Sequence, residues 1–177
     1  MQFDKHIFLT GFMGCGKTTI SKQLANQLKL DVIDLDAFIE QLEDTTIQQI
    51  FNTKGEAYFR ELETTYLKKI QQLKNPYVVS LGGGTICFND NLQCIKQNGI
   101  LLYIDLPLKN LFQRLNQPNN QRPLLNNLKD DDLKNFISLK LEERKPFYEQ
   151  AHIKLNGLKI SPHSIAFELI DFQKKVN

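Results

Sequence analysis

The chain lacks any apolar run long enough to cross a bilayer; its longest, near residues 100–104, is far too short. A secretory leader is not expected either, since Met1-Gln2-Phe3-Asp4-Lys5-His6 runs straight into the first apolar segment. Both absences lead to the expectation of a cytoplasmic protein. Charge of one sign is not in excess: 22 lysines and arginines face 20 aspartates and glutamates, a formal +2. That balance gives no reason to expect a nucleic-acid partner. Cysteine is scarce, and Cys15, Cys87 and Cys94 are odd in number, with neither a C-x-x-C pair nor metal spacing. A disulfide framework is therefore not expected, and a reducing compartment fits. Repeats and linkers are lacking too, so the 177 residues are expected to form one domain, 1–177, carrying a small mobile insertion.

What is present is an alternation of strand and helix patterns, which predicts an α/β layer fold with a parallel sheet. Strands are predicted near residues 7–10, 30–33, 77–80, 100–104 and 153–155. Helical spacing appears over residues 20–28, 37–42, 47–51, 56–73, 91–97, 108–115, 131–148 and 164–175, with Pro146 expected to kink or end its helix.

The stretch that organises the chain is G-F-M-G-C-G-K-T, residues 11–18, set between the first strand and the first helix. In that context G-x-x-x-x-G-K-[ST] is a phosphate-binding loop. Its glycines let successive N–H groups turn onto one anion, and the following helix adds unpaired N–H groups and a positive dipole end. Gly14, Cys15, Gly16, Lys17, Thr18 and Thr19 are the expected nucleotide-binding set. Lys17 is expected on the β- and γ-phosphates, and the Thr18 hydroxyl on Mg²⁺. Cys15, inside the loop, reads as a small filler rather than a nucleophile.

Four further groups carry chemistry. Asp34 and Asp36 lie at the carboxyl end of the second strand, the edge where open parallel sheets bind ligands. Their spacing of two puts both on one side of a strand, suited to a metal's water shell and a substrate hydroxyl. A helix N-cap is the bland alternative for Asp36, and it explains only one of the two acids. On the helix over residues 56–73, a wheel set at Phe59 puts Leu62, Tyr66, Leu67, Ile70 and Leu73 in the buried arc. Glu63 falls inside that arc and Arg60 at its edge, which leaves open a structural ion pair or an arginine reaching an anionic substrate. Arg144 falls in the middle of the apolar stripe formed by Leu133, Phe136, Ile137, Leu141, Phe147 and Tyr148. An arginine there calls for an anion, although Lys140 in the same arc shows that snorkelling is the alternative. Finally, Gly82-Gly83-Gly84 follows a strand directly, and bare backbone at that edge suggests a closely approaching ligand; Ser80, at the strand tip, could hold a water on Mg²⁺. The polar segment 116–121, ending on Arg122-Pro123-Leu124-Leu125, reads either as a lid over a triphosphate or as a surface turn.

Residues 11–18, Asp34-Leu-Asp36, Phe59-Arg60, Gly82-Gly83-Gly84, Arg122-Pro-Leu-Leu and Leu141-Glu-Glu-Arg144-Lys-Pro-Phe-Tyr148 resemble, in order and spacing, the shikimate kinases. The resemblance implies a three-layer P-loop kinase fold: a five-stranded parallel sheet in order 2-3-1-4-5, helices on both faces and a mobile lid over about residues 113–128. It implies transfer of the γ-phosphoryl of ATP to the 3-hydroxyl of shikimate, with Mg²⁺, by a monomer. Asp36 would hold the reacting hydroxyls as candidate base, and Arg60 and Arg144 would grip the carboxylate. Gly82, Gly83 and Gly84 would line the ring, while Asp34 and Ser80 would order water on the metal. Arg122 would close with the lid, and Arg114 looks like the family's adenine-stacking arginine. The lid is richer in amides and poorer in charge than in many relatives, Cys15 stands where serine is more usual, and residues 155–162 only loosely resemble the family's adenine-binding loop. Rival expectations are a kinase of gluconate or a nucleoside monophosphate on the same fold, and a nucleotide-dependent switch. Against the switch, the chain has no N-K-x-D run for guanine.

Overall fold

The computed structural model of the chain describes residues 3–117, 125, 128 and 130–176. Its five strands, β1 His6–Thr10, β2 Asp31–Asp34, β3 Tyr77–Ser80, β4 Gly99–Asp105 and β5 Ile153–Asn156, form one sheet in the order β2-β3-β1-β4-β5. Every pairing is parallel, with Leu9 opposite both Ser80 and Leu102 and Asp34 opposite Ser80. Burial follows position in the sheet. Central β1 and β4 are almost wholly buried, whereas edge strand β5 alternates buried and exposed residues.

The alternation of side chains across the sheet produces two apolar cores. Ile7, Leu9, Leu102 and Ile104 point to one face and meet Leu24 of α1 (Lys17–Leu28), Leu111 of α5 (Leu108–Leu115) and Leu169 of α7 (Pro162–Val176). Phe8, Leu101 and Tyr103 point to the other and meet Ile39 of α2 (Leu35–Glu43), Leu67 of α3 (Ile47–Gln71) and Ile95 of α4 (Asn91–Asn98). Helix α6 (Asp130–Tyr148) serves both: Leu133 and Ile137 join the first core and Tyr148 the second. The expected order 2-3-1-4-5 and three layers are thus present.

Several boundaries differ from the sequence-based expectations. β2 runs one residue later than expected and stops at Asp34, which is itself the N-cap of α2: its Oδ1 accepts from the Ala37 N–H at 3.4 Å. Asp36 therefore lies in the first helical turn, not on the strand, and the cap is Asp34. α3 is one unit broken at Gly55, whose φ of 82° and ψ of 174° are open essentially to glycine alone. Thr46 caps its start through a reciprocal box with Gln49. Leu73 falls beyond the end of α3 and is 41% exposed, so it leaves the expected buried arc. Pro146 lies inside α6, and the helix ends two residues later, at Tyr148.

Two imidazoles are built into the sheet as neutral groups. His6 Nδ1 accepts the Tyr77 N–H at 3.1 Å, and His152 Nδ1 accepts the Leu101 N–H at 2.9 Å. Burial lowers the pKa of both below the ordinary 6.5. Because the unfolded chain binds the proton more readily, their contribution to stability is complete above pH 6.5 and is lost as pH falls from there through the lower folded-state values. The melting temperature is therefore expected to drop between neutral and mildly acid pH. In His6→Gln/His152→Gln that drop is expected to shrink, and an unchanged profile in the double variant would refute the assignment.

Candidate active site

β1 delivers the chain into the loop 11–16, and Gly16 caps α1 with φ at 104°, a backbone turn that other residues enter only with strain. The first-turn N–H groups of α1 therefore face the loop's hollow. Lys17 Nζ lies across that hollow, donating to the carbonyls of Gly11 at 2.8 Å and Phe12 at 3.2 Å. Cys15 is buried with its Sγ 3.9 Å from the same ammonium, which agrees with a packing role. Arg114, from the last turn of α5, fixes the loop from outside by donating to the carbonyls of Gly14 and Cys15. Thr18 donates its hydroxyl to Asp34 Oδ2 at 2.8 Å. A cavity of about 250 Å³ is lined by Gly14, Gly16, Lys17, Thr18, Thr19, Asp34 and Ser80, together with Met13, Asp36 and Gly83.

A second cavity, about 110 Å³, shares Met13, Asp36 and Gly83 with the first. Its polar lining is Asp36, Arg60, Glu63 and Arg144; Ile47, Phe51 and Phe59 make an apolar wall. Both arginines are held inside the fold. Arg60, 6% exposed, gives Nη1 to Glu63 at 2.6 Å and Nη2 to Glu56 at 2.7 Å, and stacks over Phe88 at 4.3 Å. Burial opposes its charge, but the two carboxylates more than offset that and raise its pKa further. Glu63 is fully buried and also accepts the Thr85 hydroxyl. Arg144, 8% exposed, lies 5.5 Å from the Phe12 ring centre. Lys140 does snorkel, pairing with Glu143 at 2.7 Å on the surface.

The glycine triplet lies between these groups. A Cβ at Gly82 would come within 2.7 Å of Glu63 Oε1 and 3.1 Å of Asp36 Oδ1. One at Gly83 would meet Arg144 Nη1 at 3.4 Å, and one at Gly84 would meet Arg60 Nη2 at 3.2 Å. A side chain at Gly82 is therefore barred by Glu63, and those at Gly83 and Gly84 would press on the Met13 backbone nitrogen and the Arg60 guanidinium, both at 3.2 Å. Of the two alternatives for Arg60 the ion pair is present, and the same side chain also lines a cavity with Arg144.

Lys17, Thr18, Asp34, Asp36, Arg60, Gly82, Gly83, Gly84, Arg114 and Arg144 are thus gathered at one sheet edge. Arg122 and most of the expected lid lie outside the described residues. Sequence reasoning missed Glu56, although its position four residues before Arg60 is a helix-pair signal. It also missed Thr85, Phe12 and Phe88, whose roles depend on tertiary packing alone.

A strand, glycine loop and helix at the switch of a 2-3-1-4-5 sheet, with an acceptor cavity alongside, define a P-loop kinase. A gluconokinase from Sinorhizobium meliloti shares this fold at 13% identity, with a TM-score of 0.60 over 99% of this chain and 95% of that one. Closer likenesses go further. The sequence model of the shikimate kinase family matches residues 13–174. A shikimate kinase of Bacteroides fragilis is 45% identical over 82% of this chain and 81% of its own length. The crystal structure of shikimate kinase from Bacteroides thetaiotaomicron has a TM-score of 0.86 at 38% identity, covering 96% of this chain and 98% of that one. Shikimate kinase from Acinetobacter baumannii in complex with shikimate has a TM-score of 0.85 at 30% identity, over 99% and 96%. The chain belongs to the shikimate kinase family, and is accordingly a nucleotide-binding phosphotransferase.

Proposed function

We propose that this chain transfers the γ-phosphoryl group of ATP to the 3-hydroxyl of shikimate, giving shikimate 3-phosphate and ADP. The observation that carries this reading is the convergence of Arg60 and Arg144 on one cavity adjoining the Lys17 loop. Two planar donor forks suit a small carboxylate, and phosphoryl transfer needs chiefly alignment and charge neutralisation. Asp36, lining both cavities, holds the reacting hydroxyl between acceptor and donor. Gly82, Gly83 and Gly84 line the ring with backbone. Gly14, Cys15, Gly16, Lys17, Thr18 and Thr19 hold the phosphates, with Lys17 turning from the Gly11 and Phe12 carbonyls onto the β- and γ-oxygens. Arg114 supports the adenine side and Arg122 acts from the lid.

The oxygen donors Thr18 and Asp34, 2.8 Å apart, suit Mg²⁺ bound through Thr18 and through water on Asp34. Among the described residues no cluster of three or more His, Cys, Asp or Glu forms a closed metal cage, which fits a cation carried largely by the nucleotide. When bound, the ion supplies positive charge to the phosphate oxygens. On the same reading the chain works as one domain, residues 1–177, with a lid over about residues 113–128, as a cytoplasmic monomer without nucleic-acid or membrane partners. Among the described residues no helix is long and apolar enough to cross a membrane.

The deciding experiment measures ADP release with shikimate, gluconate and AMP offered side by side. Turnover is expected with shikimate; its absence there, or preference for either rival, would overturn the reading. Arg144→Ala is expected to raise KM for shikimate by about 10–100-fold, the loss of a charge-assisted hydrogen bond, while KM for ATP stays near wild type. An unchanged KM for shikimate would remove Arg144 from the carboxylate site.

A further inference from the structure

All three carbonyls of the glycine triplet are engaged by protein donors. Gly82 accepts the Thr85 N–H at 3.3 Å, Gly84 accepts the Cys87 N–H at 2.8 Å, and Gly83 accepts the Tyr148 hydroxyl at 2.5 Å. Among the described residues, none of the three glycine N–H groups meets a protein acceptor. The first two of those bonds lie within the turn that the loop makes into the short helix Thr85–Cys87. The third comes from 65 residues away, at the last residue of α6. Among the described residues it is the one hydrogen bond that ties the triplet's own backbone to another layer of the molecule.

We propose that Tyr148 is a positioning residue for the acceptor pocket, its hydroxyl fixing the Gly83–Gly84 peptide so that the Gly84 N–H is presented to the bound acid. The carbonyl and N–H of a trans peptide point in opposite directions. Gly83 and Gly84 line the cavity and Tyr148 does not. Holding the Gly83 oxygen back against Tyr148 therefore turns the Gly84 N–H forward, toward the space that Arg60 and Arg144 also face. Tyr148 is itself immobilised: it is fully buried, and its ring stacks on Tyr103 of β4 with centroids 4.9 Å apart and planes at 17°. Burial keeps the phenol well above its ordinary pKa, against the opposing pull of Arg144, so it remains a donor at neutral pH. Arg144 lines the same cavity beside Gly83, where a Cβ would meet its Nη1 at 3.4 Å.

The inference rests on the shikimate reading for its substrate, and its test is arranged to fail separately. Tyr148→Phe keeps the ring and the stack and removes only the hydroxyl. Its KM for shikimate is expected to rise about tenfold, with kcat, KM for ATP and melting temperature close to wild type. Tyr103→Phe, which loses a hydroxyl bonded to Asp105 instead, is the control and is expected to change none of these. In ligand-free protein labelled with ¹⁵N-glycine, the Gly84 amide resonance is expected to move in Tyr148→Phe while those of Gly14 and Gly16 stay in place. Unchanged KM for shikimate in a folded variant would overturn the proposal. So would a loss shared equally by both substrates with a lowered melting temperature, the mark of a purely structural residue. If the wild-type chain does not phosphorylate shikimate, the substrate reading falls, and the Gly84 resonance alone decides the role of Tyr148.

Discussion

Replacing Lys17 with alanine is expected to lower kcat by about 10³, with the melting temperature left close to wild type. The reasoning starts from where the ammonium lies. It sits above the loop 11–16, bonded to the backbone carbonyls of Gly11 and Phe12 and 3.9 Å from the Cys15 sulfur. Lys17 itself lines a cavity that water can enter, so truncating it leaves no dry void and costs the fold little. The reacting phosphate has no such substitute. Charge that develops on its oxygens loses a fixed cation, and that loss falls on the transition state. Steady-state rates beside a thermal melt check the claim; turnover within tenfold of wild type would refute it.

Glu63→Ala is expected to cost about 3 kcal/mol of stability. Glu63 is fully buried, and its two oxygens are divided between the Arg60 guanidinium and the Thr85 hydroxyl. Removing it strips a buried cation of its nearer counter-charge and leaves the Thr85 hydroxyl without its acceptor. Glu56 remains beside Arg60, but it is half exposed and gives only partial compensation, which keeps the cost at the low end for a broken buried pair. For a chain of this size the melting temperature should fall by roughly 6–12 °C. KM for shikimate should rise as well, because a loosened Arg60 no longer holds its place against Gly84. Glu63→Gln, which keeps the shape and both hydrogen bonds in part, is expected to lose less. A Glu63→Ala protein as stable as wild type would contradict the account.

The periodic features of this fold were legible because they are local. The strand over 7–10, the loop after it and the helix with Leu24 and Ala25 follow from spacing alone, as do the positions of Glu63 and Arg144 on the apolar stripes of their helices. Asp34 and Asp36 lie at the expected edge, yet the helix begins at Leu35, two residues before the spacing suggested, and takes Asp36 off the strand. Asp34 is both the last residue of β2 and the cap of α2, and its second oxygen is taken by Thr18, a tertiary contact. Leu73 was misjudged because a wheel has no means of marking where its helix stops. The bonds from Thr85 to Glu63 and from Tyr148 to Gly83 span 22 and 65 residues, and no short-range pattern encodes them. Arg60 shows the limit most clearly: spacing gave its ion pair, but only the folded chain brings it to the same cavity as Arg144.

Met13, Asp36 and Gly83 belong to both hollows at once. A boundary one residue thick leaves the travelling phosphorus almost no distance to cover between its two owners. Since the tips of β1, β2 and β3 are stitched together at Leu9, Asp34 and Ser80, the floor beneath that crossing is as stiff as the sheet itself. Whatever moves above during a catalytic cycle, the relative height of giver and taker is inherited from strand register.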